Sequence, residues 1–329
     1  MSLDRLKYAL ASGGLDLPDS GDICFFGVPA DVALPVAKDR AQIVHSFAPE
    51  HARWKSQGFT TAVALQGPYA ATVVALPRAR DLSEARIAEA EAATPEGLIV
   101  IDGAKTDGIE AIAKALRAKG VALSAVSKAH GKCLWFKAGG FTADWARPAM
   151  AANADGDMTA PGVFSADGAD PASRLLAEAL PATLKGEVAD LGAGWGWLSR
   201  EILRRAGVAT LHLVEAEARA LDCARANVTN ARARFHWANA TDWMSPALLD
   251  AVVMNPPFHT GRKADPALGQ AFVRAAARNL KPNGALWMVA NRHLPYETVV
   301  AECFREHREI GGTGAFKILQ ASRPARTGR

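Results

Sequence analysis

From about residue 186 onward, short apolar runs alternate with longer stretches whose apolar positions recur at helical spacing. "GEVADLGAG" predicts a strand ending in glycines, and "WLSREILRRAG" a helix closed by Gly207. "ATLHLVEAE" predicts the next strand and "EARALDCARANVTNA" the next helix. "ARFHWANAT" supplies a third strand with its loop, and "LLDAVVMNPPF" a fourth. "ALGQAFVRAAARNLKPNG" predicts a helix stopped by Pro-Asn-Gly and followed by the strand "ALWMVAN". A final pair within "EHREIGGTGAFKILQA" closes an antiparallel edge. Repeated strand–helix units of this kind predict an α/β fold with a mostly parallel sheet covered on both faces.

The first half reads as a worn copy of the second. "LIVIDGAKTDGIEAIAKAL" has the strand-then-helix order of "ALWMVANRHLPYETVVAECF", and "AHGKCLWFKA" the Gly-Lys-aromatic ending of "GTGAFKILQA". In that frame "VVALPRAR", residues 73–80, stands where the second half has "VVMNPPFH". The first copy therefore has no Asn at that turn and no aromatic after its proline. Its early strands, "DICFFGVP" and "AQIVHSFAP", lack a Gly-x-Gly-x-Gly run, as expected of a duplicate that has lost its chemistry. Residues 143–162 are rich in Ala, Gly, Asp and Pro and interrupt the periodic segments. They divide the chain into expected domains of 1–150 and 151–329.

Composition narrows the class. With 49% hydrophobic and 22% charged residues, the 329-residue chain has the make-up of an ordinary globular protein. Residues 1–150 carry 17 Lys and Arg against 16 Asp and Glu, and residues 151–329 carry 21 against 18. Net charges of +1 and +3 allow a local nucleic-acid contact without demanding one. The four cysteines are scattered with no Cys-x-x-Cys pair, so neither a metal site nor a redox motif is expected. Free cysteines, a start without a long apolar run and no span-length apolar segment suit a cytoplasmic protein.

The candidate chemistry sits in two turns. "VADLGAGWGWLS" places Asp190 at a strand end, followed by Gly192, Gly194 and Gly196 and then a helix. Glycines let the chain turn sharply and let a ligand approach the backbone. Glu215 ends the next strand, where a carboxylate suits the hydroxyls of a ribose. A dinucleotide fits the glycines and Glu215 as well, but Asp190 ahead of them suits a cationic amino-acid moiety better. Trp195 and Trp197 flank Gly196, and packing of these rings on the following helix is expected, with one ring walling the ligand cleft as the alternative. In "NPPF", Asn255 offers an amide oxygen, Pro256 a carbonyl with no N–H of its own, and Phe258 a ring for stacking. Two stiffly held acceptors and a ring suit a planar group bearing an NH2. His259 invites a general-base role, but an NH2 conjugated into a planar group is not basic, and alignment with a strong electrophile is sufficient.

"DLGAGWG" followed by "NPPF" resembles the S-adenosylmethionine-dependent amino-methyltransferases. With "PGVFSADGADPASRLLAEAL", "NPPFHTG", "ANRHLPYE" and "TGAFKILQA", residues 160–322 resemble the RsmC-type enzymes, which methylate guanine N2 in 16S rRNA. The resemblance implies two tandem Rossmann-like methyltransferase domains. Each would have a mostly parallel seven-stranded sheet with an antiparallel edge strand, and the N-terminal copy would be degenerate. It implies S-adenosylmethionine as cofactor, held by Asp190, Gly192, Gly194, Gly196 and Glu215, with Asn239 at the adenine and Phe164 and Ser165 beside it. Asp170 and Ser173 belong to the same block. Asn255, Pro256 and Phe258 would hold the guanine. The implied partner is 16S rRNA or the small ribosomal subunit, with no membrane. The internal duplicate favours a monomer. Two rivals remain at this point: methylation of a glutamine amide or adenine N6, and a non-catalytic RNA-binding or ribosome-assembly module.

Overall fold

The computed structural model of the protein describes residues 3–12, 14–257, 259–260, 263–264 and 266–325, the side chains of 259, 260, 263 and 264 excepted. The chain forms two units, Met1–Ala149 and Met150–Arg329. In the first unit the elements are α1 (Asp4–Ala11), β1 (Ile23–Phe26), β2 (Ala41–Val44), α2 (Ala48–Ser56), β3 (Thr60–Ala62), β4 (Ala71–Ala75), α3 (Arg80–Ala92), β5 (Leu98–Ala104), α4 (Ile109–Ala118), β6 (Ser124–Lys128) and β7 (Gly131–Lys137). The second unit opens with the short hairpin β8 (Ala151–Ala152) and β9 (Met158–Thr159). There follow α5 (Pro171–Ala179), β10 (Gly186–Leu191), α6 (Trp197–Leu203), β11 (Val208–Glu215), α7 (Ala218–Asn227), β12 (Ala233–Trp237) and β13 (Leu249–Met254). A second small hairpin, β14 (His259–Thr260) and β15 (Lys263–Ala264), precedes α8 (Pro266–Asn279), β16 (Leu280–Asn291), α9 (Glu297–Cys303), β17 (Phe304–Gly312) and β18 (Phe316–Pro324).

Each unit has a seven-stranded sheet, in the orders β3-β2-β1-β4-β5-β7-β6 and β12-β11-β10-β13-β16-β18-β17. The two orders are the same once strands are counted from the start of each unit's sheet. Central strands pair in parallel, while β7 and β18 run antiparallel to both of their neighbours. The antiparallel strand thus lies one place in from the edge. Burial follows from sequence: β1 (ICFF) and β4 (ATVVA) are buried at every position, as strands covered on both faces must be. The edge strands β6 (SAVSK) and β17 (FREHREIGG) are polar and mostly exposed, which blunts edge-to-edge pairing. In the second unit one apolar cluster centres on Val252, Met254, Phe272 and Met288, and another on Leu176, Ile202, Leu211 and Val253. Val252 and Val253 are consecutive strand residues, so the two clusters lie on opposite faces of the sheet.

Two helices end sooner than their glycines suggest. α6 stops at Leu203 rather than at Gly207, because the Arg232 guanidinium donates to the carbonyls of Leu203, Arg205 and Val208 and so caps the end from outside. α8 stops at Asn279, whose side chain accepts from Ser245 N and donates to Trp243 O. Lys281-Pro282-Asn283-Gly284 then belongs to β16. Among the described residues, no helix is long and apolar enough to cross a membrane.

Candidate active site

The second sheet reverses direction at β10: the chain passes to β11 on one side and later returns to β13 on the other. Such a switch point leaves a crevice beyond the carboxyl ends of the strands. Three segments meet there: the glycine turn after β10, the Asn-Pro-Pro turn after β13, and the segment leading into α5.

Gly192, Gly194 and Gly196 have φ of 79°, 55° and 92°, a region in which a side chain would be strained. Gly192 N donates to Val214 O at 2.9 Å, fastening the turn to β11. A Cβ on Gly196 would lie 2.7 Å from Val228 Cγ2, so this glycine permits α6 to pack against α7. A Cβ on Gly194 would meet nothing within 4 Å, so this glycine presents bare backbone to open space.

Asp190 is fully buried at the end of β10. Its Oδ2 accepts from the Ser199 hydroxyl at 2.6 Å, and its Oδ1 has no partner among the described residues. Burial pushes the carboxyl up to about 7, with the Ser199 hydrogen bond opposing and the neighbouring Glu215 adding to the rise. Glu215 ends β11. Its Oε2 accepts from Gly194 N and its Oε1 from Glu217 N, both at 2.8 Å. Burial also raises this carboxyl, against those backbone donors. Each oxygen keeps a further lone pair for a ligand.

Asn255 follows β13 directly. Its Nδ2 donates to Asp170 Oδ2 and Ser173 Oγ, each at 2.9 Å. Asp170 is the N-cap of α5, accepting from Ser173 N at 2.8 Å ahead of Pro171 at the first helical position. With both amide hydrogens engaged, the carboxamide is fixed in one orientation. Its Oδ1 is buried and has no partner among the described residues. Pro256 is buried and Pro257 exposed, while Phe258 lies outside the described residues. Phe164, Ser165, Asp170, Ser173, Gly192, Gly194 and Asn255 line one cavity.

Trp195 packs chiefly against α7 and the segment before α5, with Trp197 at the start of α6 against the same cluster, and both residues border the cavity. Trp195 is 4% exposed, lies with Ala160, Val163, Ala220 and Cys223, and its Nε1 donates to Phe164 O at 3.1 Å. Asn227 of α7 donates to Trp195 O and to Met158 O and accepts from Met158 N. The glycine turn, α7 and the segment before α5 are thereby joined. Ser199, Asn227 and this part of Trp195 carried no local signal, since their partners stand 9 to 69 residues away. Asn239 lies just beyond β12, whose Trp237 pairs with Glu215. Its side chain serves the local turn, donating to Asp242 and accepting from Thr241 N, and it does not line the cavity. A wider cleft lined by Arg174, Arg200, Arg204 and Arg205 is charge-compensated: Asp155, Asp157 and Glu201 pair with the first three. Among the described residues, no cluster of His, Cys, Asp and Glu is arranged to hold a metal ion.

Sheet register shows what the first unit has at the matching places. Gly27 N donates to Val44 O as Gly192 N does to Val214 O. His45 therefore corresponds to Glu215, and Phe25 to Asp190. Phe25 pairs with Val73 as Asp190 pairs with Val253, so Ala75 corresponds to Asn255. This shifts the sequence frame by one residue, since Val73 matches Val253 rather than Val252. No α-helix follows β1. The loop there is instead bonded by α2, with Glu50 accepting from Ala30 N, Trp54 donating to Val28 O and Gln57 donating to Ala30 O. Burial, with Arg86 and His51 nearby, lowers His45 to about 4, so the carboxylate position carries a neutral imidazole. All three polar groups of the second site are missing from the first.

Residues 158–320 match the family model of the methyltransferase small domain. The chain is 38% identical over 164 residues to ribosomal RNA small subunit methyltransferase C of Escherichia coli O1:K1, covering 50% of this chain and 48% of that one. The Klebsiella pneumoniae protein of the same name is 37% identical over 163 residues, covering 49% and 48%. The chain thus spans about half the length of the curated relatives it matches. A 16S rRNA N2 methyltransferase (RsmC) of T. thermophilus, solved in complex with AdoMet and guanosine, superposes with a TM-score of 0.77 at 24% identity, over 94% of this chain and 90% of that one. That likeness establishes the fold of both units: two tandem Rossmann-like α/β domains. Over residues 158–320 the chain is similar to the methyltransferase small domain family.

Proposed function

We propose that the chain transfers a methyl group from S-adenosylmethionine to the exocyclic N2 of a guanine in 16S rRNA, working as a monomer in the cytoplasm. One observation carries this reading: Asp170 and Ser173 take both hydrogens of the Asn255 amide, leaving its oxygen as a fixed acceptor in the cavity that the glycine turn also lines. Asp190 Oδ1 and Asn255 Oδ1, two buried oxygens without partners among the described residues, and the open face of Gly194 fit a ligand with a cationic end and an amine brought to meet it. Asp190 would serve the amino-acid end, Gly192, Gly194 and Gly196 the approach of the ligand to backbone, and Glu215 the ribose. Asn239 would lie at the adenine, and Phe164 and Ser165 would border the site.

S-adenosylmethionine, when bound, supplies a methyl group made electrophilic by its sulfonium. The protein's part is alignment. Asn255 Oδ1 accepts one hydrogen of the guanine amine, and the Pro256 carbonyl accepts the other. Phe258 stacks on the base. Engaging both hydrogens draws the nitrogen lone pair out of conjugation and points it along the transfer axis. The nitrogen would take the methyl carbon as the sulfur–methyl bond breaks, with S-adenosylhomocysteine leaving as a neutral thioether and the surplus amine proton passing to water. A paired base must leave its stack to reach such a pocket, so an irregular or open RNA site is the expected substrate. The first unit, stripped of cofactor groups, would place RNA or support its neighbour.

Transfer of labelled methyl to purified small subunits, to naked 16S rRNA and to ribosomal protein fractions tests the proposal. N2-methylguanosine in the RNA is expected. Label in protein, or in N6-methyladenosine, would assign the acceptor to a rival, and no transfer to any fraction would favour a non-catalytic module.

A further inference from the structure

Phe164 is 65% exposed, the highest value among the exposed large apolar side chains described, yet its backbone is tightly held. Trp195 Nε1 donates to its carbonyl at 3.1 Å, and Val163 beside it is buried in the cluster around Trp195. The next residue, Ser165, takes a left-handed φ of 51°, and its hydroxyl donates to Gly168 O at 2.7 Å. A non-glycine residue in that region costs about 1–3 kcal/mol and persists only where its surroundings impose it. The sequence therefore combines a strained turn, a buried Trp clamp and an apolar ring left in the open. Hydrophobic burial explains none of this, because the ring gains little from where it sits. Phe164 lines the same cavity as Gly192, Gly194 and Asn255.

The electron-rich face of an aromatic ring attracts a cation placed over it. We propose that Phe164 covers the sulfonium of S-adenosylmethionine and favours the charged cofactor over its neutral product, S-adenosylhomocysteine, and that Trp195 is the positioning residue that holds the ring there. This rests on the cofactor assignment above and extends it to product release. Contacts with adenosine and the amino-acid end are common to both ligands and raise both affinities alike. A cation–π contact acts on S-adenosylmethionine alone. Phe164 would thus help a spent cofactor leave.

Calorimetric titration of the full-length chain with S-adenosylmethionine and with S-adenosylhomocysteine decides the matter. In Phe164→Leu the affinity ratio should fall roughly threefold to tenfold toward the product, and in Phe164→Tyr it should be retained. The ring is exposed, so the Leu variant keeps the fold. Trp195→Phe keeps a buried ring but removes the Nε1 donor, and should lower the ratio in the same direction. Equal losses for both ligands in Phe164→Leu, or an unchanged ratio, overturn the proposal while leaving the methyltransferase reading intact. An unchanged ratio in Trp195→Phe alone overturns the positioning role. Failure of the unaltered protein to bind either ligand removes both this inference and the assignment beneath it.

Discussion

Asn255 is oriented by Asp170 and Ser173, which lie 85 and 82 positions upstream. Replacing Asn255 with Ala should lower kcat by roughly 100- to 1,000-fold, the usual effect of deleting one preorganised polar group at a reacting centre. S-adenosylmethionine affinity should stay unchanged, and steady-state kinetics with a direct binding measurement will check both. Asp190 adds a pH signature. Its carboxyl rises from 3.8 to about 7 on folding. A raised carboxyl favours the folded chain at low pH; that contribution is complete below 3.8 and is lost as pH climbs through about 7. A cationic ligand favours the carboxylate, so binding should release a proton near neutrality and strengthen from about pH 6 to about pH 8. Calorimetry in two buffers of different ionisation enthalpy reads the proton directly, and Asp190→Asn should abolish it. The residue types Asp190, Glu215 and Asn255 were legible because a glycine turn and a proline turn mark them. The clamp on Asn255 and the partner of Trp195 were not, because contacts across 31 to 85 positions leave no local pattern.

The three glycines of the turn after β10 occupy similar backbone conformations but face different surroundings. Gly196→Ala would drive a Cβ to 2.7 Å from Val228 and 3.2 Å from Ala224 on α7. It should destabilise the second unit by roughly 1–3 kcal/mol, seen as a lower midpoint in chemical denaturation. Gly194→Ala meets no neighbour, so its cost is backbone strain with little overpacking. It should leave the midpoint closer to that of the parent while weakening S-adenosylmethionine binding, because the open face of the turn is where ligand and backbone would meet. Equal effects of the two changes on stability and binding would contradict this division. The succession of strands and helices could be expected from alternating apolar runs, but element ends could not. α6 and α8 stop where Arg232 and Asn279 satisfy or recruit backbone groups from other parts of the chain, ahead of the glycines that suggested longer helices.

On the scale of the whole molecule, one sheet plan is used twice and the polar groups of the site occur once. Phe25, His45 and Ala75 stand where the second unit has Asp190, Glu215 and Asn255. The full chain should therefore bind one equivalent of S-adenosylmethionine, and Asp190→Asn together with Glu215→Gln should abolish all binding; residual stoichiometric binding in that variant would locate a site in the first unit. The repeated sheet plan was visible in the strand-and-helix order of the two halves. The one-residue frame shift at Val73 was not, because apolar strand residues are interchangeable until hydrogen-bond register fixes them. The most direct measurement of the central claim is nucleoside mass mapping of 16S rRNA from cells lacking the gene, complemented with the parent or with Asn255→Ala. One N2-methylguanosine should disappear with the gene, return with the parent and stay absent with Asn255→Ala. An unchanged modification map, or full restoration by Asn255→Ala, would contradict the claim.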